Sequence, residues 1–297
     1  MVGLCQGLHE QAWYEHGAIR VVHGFIGQKI ADMKFIVCVK QVPDVTSPLR
    51  LQEGRIDTSA GRMVLNAYDA SAAEGAIAFT EKYGGEVHAV LIGPPEAQEA
   101  LRKVLAMGAA SAVHIQVKDR ATPPEAVPDT LPDAQACARL LADHFSKETF
   151  DVIACGKQAQ DTDAGLTPAM LAELLGLPFI GNVIALERDG DERGGKGLLV
   201  TRQGDANQEI TRIETPCIVS CSNNMCDPRI PNIKGIMGAR KKPIDVKIVS
   251  LPAGIPRVQV QRYDAMPGRP EVRMLEEGWD EAIEVLVPFV KSGPPAA

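Results

Sequence analysis

DVIACGKQAQDTDAGLTPAM, residues 151–170, opens as a buried strand and closes as a helix. Asp151–Cys155 is a short apolar run without alternation, the pattern of a strand covered on both faces. It breaks at Gly156 into the polar loop Lys157–Asp163, and a helix is expected from about Ala164 to Leu175. A strand that turns through Gly-Lys-Gln into a helix N-terminus makes an anion site, because free N–H groups and the positive end of the helix dipole converge there. The loop fits neither GxxxxGK[ST] nor GxGxxG, so the chain has no P-loop or Rossmann fingerprint at this turn.

The same strand-then-helix alternation extends outward. Strands are expected at Phe35–Lys40, Val87–Ile92 and Ala112–Val117, and helices at Ala70–Lys82, Glu96–Met107 and Ala134–Lys147. Asp69 or Ser71 suits the cap of the first helix, with Ser71 and Glu74 spaced as a capping box. Gly108 and Gly176 suit the C′ positions of two others. Such alternation predicts an α/β fold, three layers built on a parallel sheet with right-handed crossovers. Beyond Pro178, Ile180–Leu186, Leu198–Gln203, Gln208–Ile213 and Cys217–Ser222 read as an antiparallel extension joined by polar turns, one of them Arg188–Gly195. From about Asn223 the chain is rich in proline and loop residues and reads as an arm lying on another subunit, with a short helix at Glu276–Val287.

Composition narrows the function. Apolar residues make up 45% of the 297 and the formal net charge is −7, which argues against binding nucleic acid by phosphate neutralisation. No apolar run reaches the 18 residues of a membrane span. Seven cysteines without framework spacing fit a reducing compartment, the cytoplasm. Cys217, Cys221 and Cys226 match no zinc or iron–sulfur spacing, and the first two read as core thiols. Residues 1–32 hold three of the six histidines and lack secretory features. They read as a non-native or disordered extension ahead of Met33, followed by an α/β domain over 33–222 and a loop-rich arm over 223–297.

Four segments resemble the electron transfer flavoprotein β subunit, in its bacterial or nitrogen-fixation-like branch. They are MKFIVCVKQVPD (33–44), the Asn66/Asp69 turn, IGPPEAQEALRKVLAMGA (92–109) and DPRIPNIKGIMGARKKPID (227–245), in register with the GKQ-x-x-D-x-D loop. The resemblance makes 33–222 a nucleotide-binding domain and 223–297 a recognition loop with its arm. It implies an adenine nucleotide, AMP, held by Cys38, by Asn66, Ala67, Tyr68 and Asp69, and by Ile92. It also implies that Gly156, Lys157, Gln158, Ala159, Gln160, Asp161, Thr162, Asp163, Ala164, Gly165, Leu166 and Thr167 wrap the phosphate. Read by themselves, Lys157 is equally a solvated lysine, Asn66 a turn residue, and Asp161 with Asp163 a cap and dipole complement. Ala67 stands where the family has proline, Leu166 where it often has glutamine, and Gly238 where it has lysine.

The resemblance further implies a heterodimer with an FAD-bearing α subunit, and docking of flavoprotein dehydrogenases through Arg229, Ile233 and Met237. No catalytic residues are expected in this chain; the redox chemistry belongs to the flavin. The rival within the family is a flavin-bifurcating complex, in which the same pocket holds a second FAD and the complex oxidises NADH. Outside it, a stand-alone nucleotide-binding module is the alternative.

Overall fold

The computed structural model describes residues 14–15, 18–19, 32–47, 50–57, 61–118, 132–190, 197–251, 258, 260–268 and 278–292. The extension over 1–32 and the turn at 191–196 therefore fall largely outside the described residues. The chain divides into two compact units, Met1–Arg262 and Tyr263–Ala297.

The first unit is built on a nine-stranded sheet. Its strands are β1 (Met33–Val39), β2 (Gly85–Ile92), β3 (Ser111–Lys118), β4 (Val152–Gly156), β5 (Phe179–Arg188), β6 (Gly197–Gln203), β7 (Gln208–Glu214), β8 (Cys217–Cys221) and β9 (Ile244–Ser250). The order across the sheet is β7-β6-β5-β8-β4-β1-β2-β3-β9. All neighbours from β5 to β9 pair in parallel, and β6 is antiparallel to both of its neighbours.

Helices cover both faces, as the α/β reading requires. Against one face lie α1 (Ala67–Tyr83) and α2 (Gln98–Met107), whose Ala72, Ala73, Ala76 and Leu101 share a core with Phe35, Val37, Ala89 and Leu91. Against the other lie α3 (Ala134–Phe145) and α4 (Thr167–Leu175), packing Ala138, Leu141 and Leu171 on Ile36, Val90 and Ile153. Adjacent strand residues thus feed opposite cores, which is why the central β1 and β4 are apolar with little alternation, whereas β3, nearer the sheet edge, alternates through His114, Gln116 and Lys118. Helix α1 is buried almost all round through its first ten residues after Tyr68, so its small residues permit close approach to the sheet.

Several expectations require correction. Cys217–Cys221 is not the last strand of a meander but runs parallel between β5 and β4, in the centre of the sheet. It is buried at every position, and an apolar run cannot by itself tell a hairpin partner from an inserted parallel strand. Asp69 and Ser71 do not cap α1; the N-cap is Asn66, without a side-chain cap bond. The polar side chains that looked like a capping box reach across the fold instead. Helix α4 begins at Thr167, three residues later than expected.

Past residue 222 the chain re-enters the fold. Ile233–Ala239 forms a short helix, α5, where a loop was expected, and Asn232 caps it by accepting from Gly235 N–H. Strand β9 then pairs along the whole of β3, so sheet residues continue well beyond 222. Lys242, in the basic run, donates to the Leu105 and Ala109 carbonyls at the end of α2, as cations do at helix C-termini. Cys217 and Cys221 are fully buried thiols, pushed up in pKa mainly by burial, Cys217 to about 12.

In the second unit, α6 (Gly278–Ser292) runs through Pro288 rather than stopping before it. It leaves Trp279, Ile283, Leu286, Val287 and Val290 exposed.

Candidate functional site

The chain leaves β1 toward β2 on one side and returns from β3 to β4 on the other. The carboxyl ends of β1 and β4 are therefore a topological switch point, where open α/β sheets bind ligands. Register brings the predicted residues level there: Cys155 pairs with Cys38, and Cys38 with Val90. The following residues, Lys157, Lys40 and Ile92, emerge together along that edge. Cys38 is half-buried beside Cys155, and both contribute to the core under α3 and α4.

The first turn of α1 holds the loop in place. Asn66 is 1% exposed; its Nδ2 donates to the Gln158 carbonyl at 2.9 Å and its Oδ1 accepts from Gln160 N–H at 3.1 Å. Gln160 replies by accepting from Ala67 N–H through Oε1 at 3.0 Å, which covers an otherwise unpaired donor at the helix start. Asp69 accepts from Lys40 N–H at 2.7 Å with one oxygen and from Gly156 N–H at 3.0 Å with the other. Burial pushes the Asp69 carboxyl up to about 7, against those two donors, which favour the charged form. Gly156 has no room for a side chain, because a Cβ there would collide with the Asp69 carboxylate and the Tyr68 Cβ.

Beyond this anchor the loop closes on itself. Asp163 N–H donates to the Ala159 carbonyl at 2.8 Å, and Ala159 N–H to Ala164 carbonyl at 3.0 Å. Asp163 takes a left-handed φ of 52°, a conformation Asp tolerates better than most, and its carboxylate accepts from Gln158 Nε2. Asp161 forms a 2.8 Å ion pair with Lys40. The D-x-D carboxylates are thus engaged by Gln158 and Lys40 and do not cap the helix as expected, since the N-cap of α4 is Leu166 without a side-chain cap bond.

The loop residues from Asp161 to Leu166 and Lys157 are exposed, and Thr167 is half-buried at the start of α4. The first intrahelical bond runs from Met170 N–H to the Leu166 carbonyl, so the Thr167 and Ala169 amides precede the helical ladder, and Pro168 between them has no N–H to give. Lys157 and the Thr167 hydroxyl belong to the same strand–loop–helix turn, and donors at a helix N-terminus are of the kind that suits an anion. Asn66 is differently placed from a purine reader, since its carbonyl and an amide proton are already engaged with the loop. The sequence did not single out Lys40 as part of this site; its position at the end of the first strand was the available signal.

The predicted docking residues behave differently from one another. Ile233 and Met237 on α5 are 78% and 64% exposed, and Ile230 and Ile236 extend the same apolar surface. Arg229 instead turns inward, with Nε donating to Glu74 Oε2 at 2.9 Å and Nη1 to Glu81 Oε1 at 2.7 Å. Among the described residues no cluster of three His, Cys, Asp or Glu side chains is placed to hold a metal, and no helix is long and apolar enough to cross a membrane.

Comparison with known proteins agrees with this architecture. The family model of the electron transfer flavoprotein domain matches residues 54–251. An electron transfer flavoprotein subunit beta of Syntrophomonas wolfei is 32% identical over 239 residues, 80% of this chain and 88% of that protein. That of Thermoanaerobacterium thermosaccharolyticum is 34% identical, covering 73% of this chain and 78% of its own length. The caffeyl-CoA reductase-Etf complex subunit CarD of Acetobacterium woodii is 32% identical, with coverage of 72% and 78%. With the parallel sheet, the switch-point loop and this similarity over most of its length, the chain belongs to the electron transfer flavoprotein family, in its β-subunit line.

Proposed function

We propose that this chain is the nucleotide-holding, partner-docking subunit of a heterodimer whose α subunit carries FAD, working in the cytoplasm. Its pocket takes AMP at the switch point. Lys157, the Thr167 hydroxyl and the amides at the start of α4 receive the phosphate, and Cys38 and Ile92 border the base. AMP is a structural ligand on this reading: it binds only the folded chain and stabilises it by mass action. Bound FAD in the partner supplies the redox chemistry, and the residues here position and dock rather than react.

The observation that carries the proposal is the convergence of Asn66, Asp69 and Lys40 on one loop that ends in a helix N-terminus. Its internal hydrogen bonds fix the loop backbone, and such preorganisation is what a tightly held nucleotide requires. The exposed α5 ridge is the docking surface for flavoprotein dehydrogenases, with Ile233 as its aliphatic anchor. The exposed apolar face of α6 is the part that packs on the α subunit.

A second reading has one specific support. The Lys40–Asp44 stretch, KQVPD, is that of the branch in which the pocket holds a second FAD and the complex oxidises NADH, and a subunit of an Etf complex is among the similar proteins. The two readings separate by counting nucleotides. The chain is co-expressed with its α subunit, the purified complex is denatured, and released AMP and FAD are quantified. One of each per heterodimer supports the carrier, and two FAD without AMP support the bifurcating complex. Absence of any nucleotide beyond the α-subunit FAD overturns the pocket assignment.

A further inference from the structure

Helix α1 carries a polar stripe that the nucleotide site does not use. Ser71, Glu74 and Glu81 recur at helical spacing on one side of it. Segment 222–229, which leads from β8 into the docking ridge, is fastened to that stripe. Ser71 Oγ donates to the Cys226 carbonyl at 2.9 Å and accepts from Cys226 N–H at 3.0 Å. Arg229 N–H donates to Glu74 Oε2 at 3.1 Å, and its guanidinium grips Glu74 through Nε and Nη2 and Glu81 through Nη1 and Nη2. Met225 packs its terminal methyl where Gly75 lacks a side chain. The next residue after Arg229 is Ile230, 94% exposed, and Ile233 follows within one turn.

We infer that Arg229 is a positioning residue: it holds the apolar ridge Ile230–Met237 in its docking pose through Glu74 and Glu81, and does not itself bind the dehydrogenase. This inference rests on the docking surface proposed above. Three facts favour it over direct contact. Both ends of the planar fork are occupied by carboxylates of the same chain, in the bidentate geometry that lysine cannot reproduce. Glu74 is only 8% exposed, so it has no surface to offer a partner. Helix α5 rests on α2 only along its small-residue side, with Gly235 against the Ala106 carbonyl and Ala239 in the core, while its apolar side chains stay exposed, so the fastening of its two ends contributes to its pose. Arg229 holds one end; at the other, Arg102 donates to the Ala239 and Lys242 carbonyls.

The test uses the full heterodimer and, as the probe, a flavin-containing acyl-CoA dehydrogenase reduced by its own substrate. The KM for the dehydrogenase is measured in flavin reduction. Ile233→Arg should raise it tenfold or more. Arg229→Ala, Glu74→Gln and Glu81→Gln should each raise it about three- to tenfold, with the Arg229→Ala/Glu74→Gln double variant no worse than its worse parent. Arg229→Lys should not rescue, and hydrogen exchange over residues 226–239 should speed up in each clamp variant. Glu81 is an exposed side chain, so its variant reports on the clamp even where Glu74→Gln fails to fold. If Ile233→Arg raises KM but the glutamate variants do not, Arg229 meets the partner directly or not at all, and the inference falls. If Ile233→Arg changes nothing, the docking surface itself is wrong and the inference falls with it.

Discussion

The loop over 156–167 and the segment over 227–242 are both fastened to α1 by polar side chains, yet they expose opposite kinds of surface. In the loop, buried polar side chains (Asn66 and Asp69) reach out from the helix and hold backbone, leaving amides and a lysine toward solvent. In the segment, one arginine reaches inward to hold a backbone whose apolar side chains stay uncovered. The first arrangement leaves a polar surface, the one proposed to take a small anion; the second leaves an aliphatic surface, the one proposed to meet a protein. The difference teaches that, in this chain, the residues with conspicuous chemistry do the holding, while the recognition surface is made of plainer groups.

The contrast predicts different sensitivities, and the largest concerns Asp69. Its folded carboxyl keeps a proton up to about pH 7, whereas in the unfolded chain it ionises near 3.8. Between those values the folded state binds more protons, so the stability due to Asp69 is complete below the lower value and is lost as the pH rises through the upper. Asp69→Asn cannot titrate, and the stability gap between the two proteins in urea should therefore narrow from pH 4 to pH 7. A constant gap would mean that the Lys40 and Gly156 donors keep the acid ionised throughout.

Gly156→Ala comes next. Its Cβ meets buried groups of Tyr68 and Asp69, including the Asp69 backbone nitrogen at 2.9 Å, so a loss of about 3 kcal/mol is expected in the same melts. A cost near zero would show that the loop anchor yields easily. Asn66→Ala strips both hydrogen bonds from the loop and should cost about 2 kcal/mol, together with looser nucleotide retention on gel filtration. Ile233→Ala, at an exposed position, should alter stability by less than about 0.5 kcal/mol. Should it destabilise like a core residue, the ridge is packed and the contrast between the two regions is gone.

Much of this was legible beforehand. The alternation of apolar runs with helical segments dictated the parallel sheet, because strands covered on both faces are apolar at consecutive positions, as Phe35, Ile36 and Val37 or Val152, Ile153 and Ala154 are. The turn at Gly156 was legible for a similar reason: a strand ending in Gly-Lys-Gln has few local alternatives. Pairing order was not. Whether Cys217–Cys221 joins a hairpin or slips between β5 and β4 depends on which neighbour buries it, and both arrangements suit the same five apolar residues. Strand β9 was missed because an edge strand with exposed Val246 and Ile248 lacks the buried pattern that marks the others.

The partners of the polar residues were also beyond the sequence. Ser71 and Glu74 have the spacing of a capping box, and only the tertiary structure turns them toward Cys226 and Arg229, 155 residues away. A hydrogen-bonding group takes whichever donor the fold brings within 3 Å, and local spacing constrains only the local candidates. The chain by itself thus determined its layers, its strand–loop–helix turn at Gly156 and its family. Its folded form decided which side chains are left for a ligand and which are occupied in holding the molecule together.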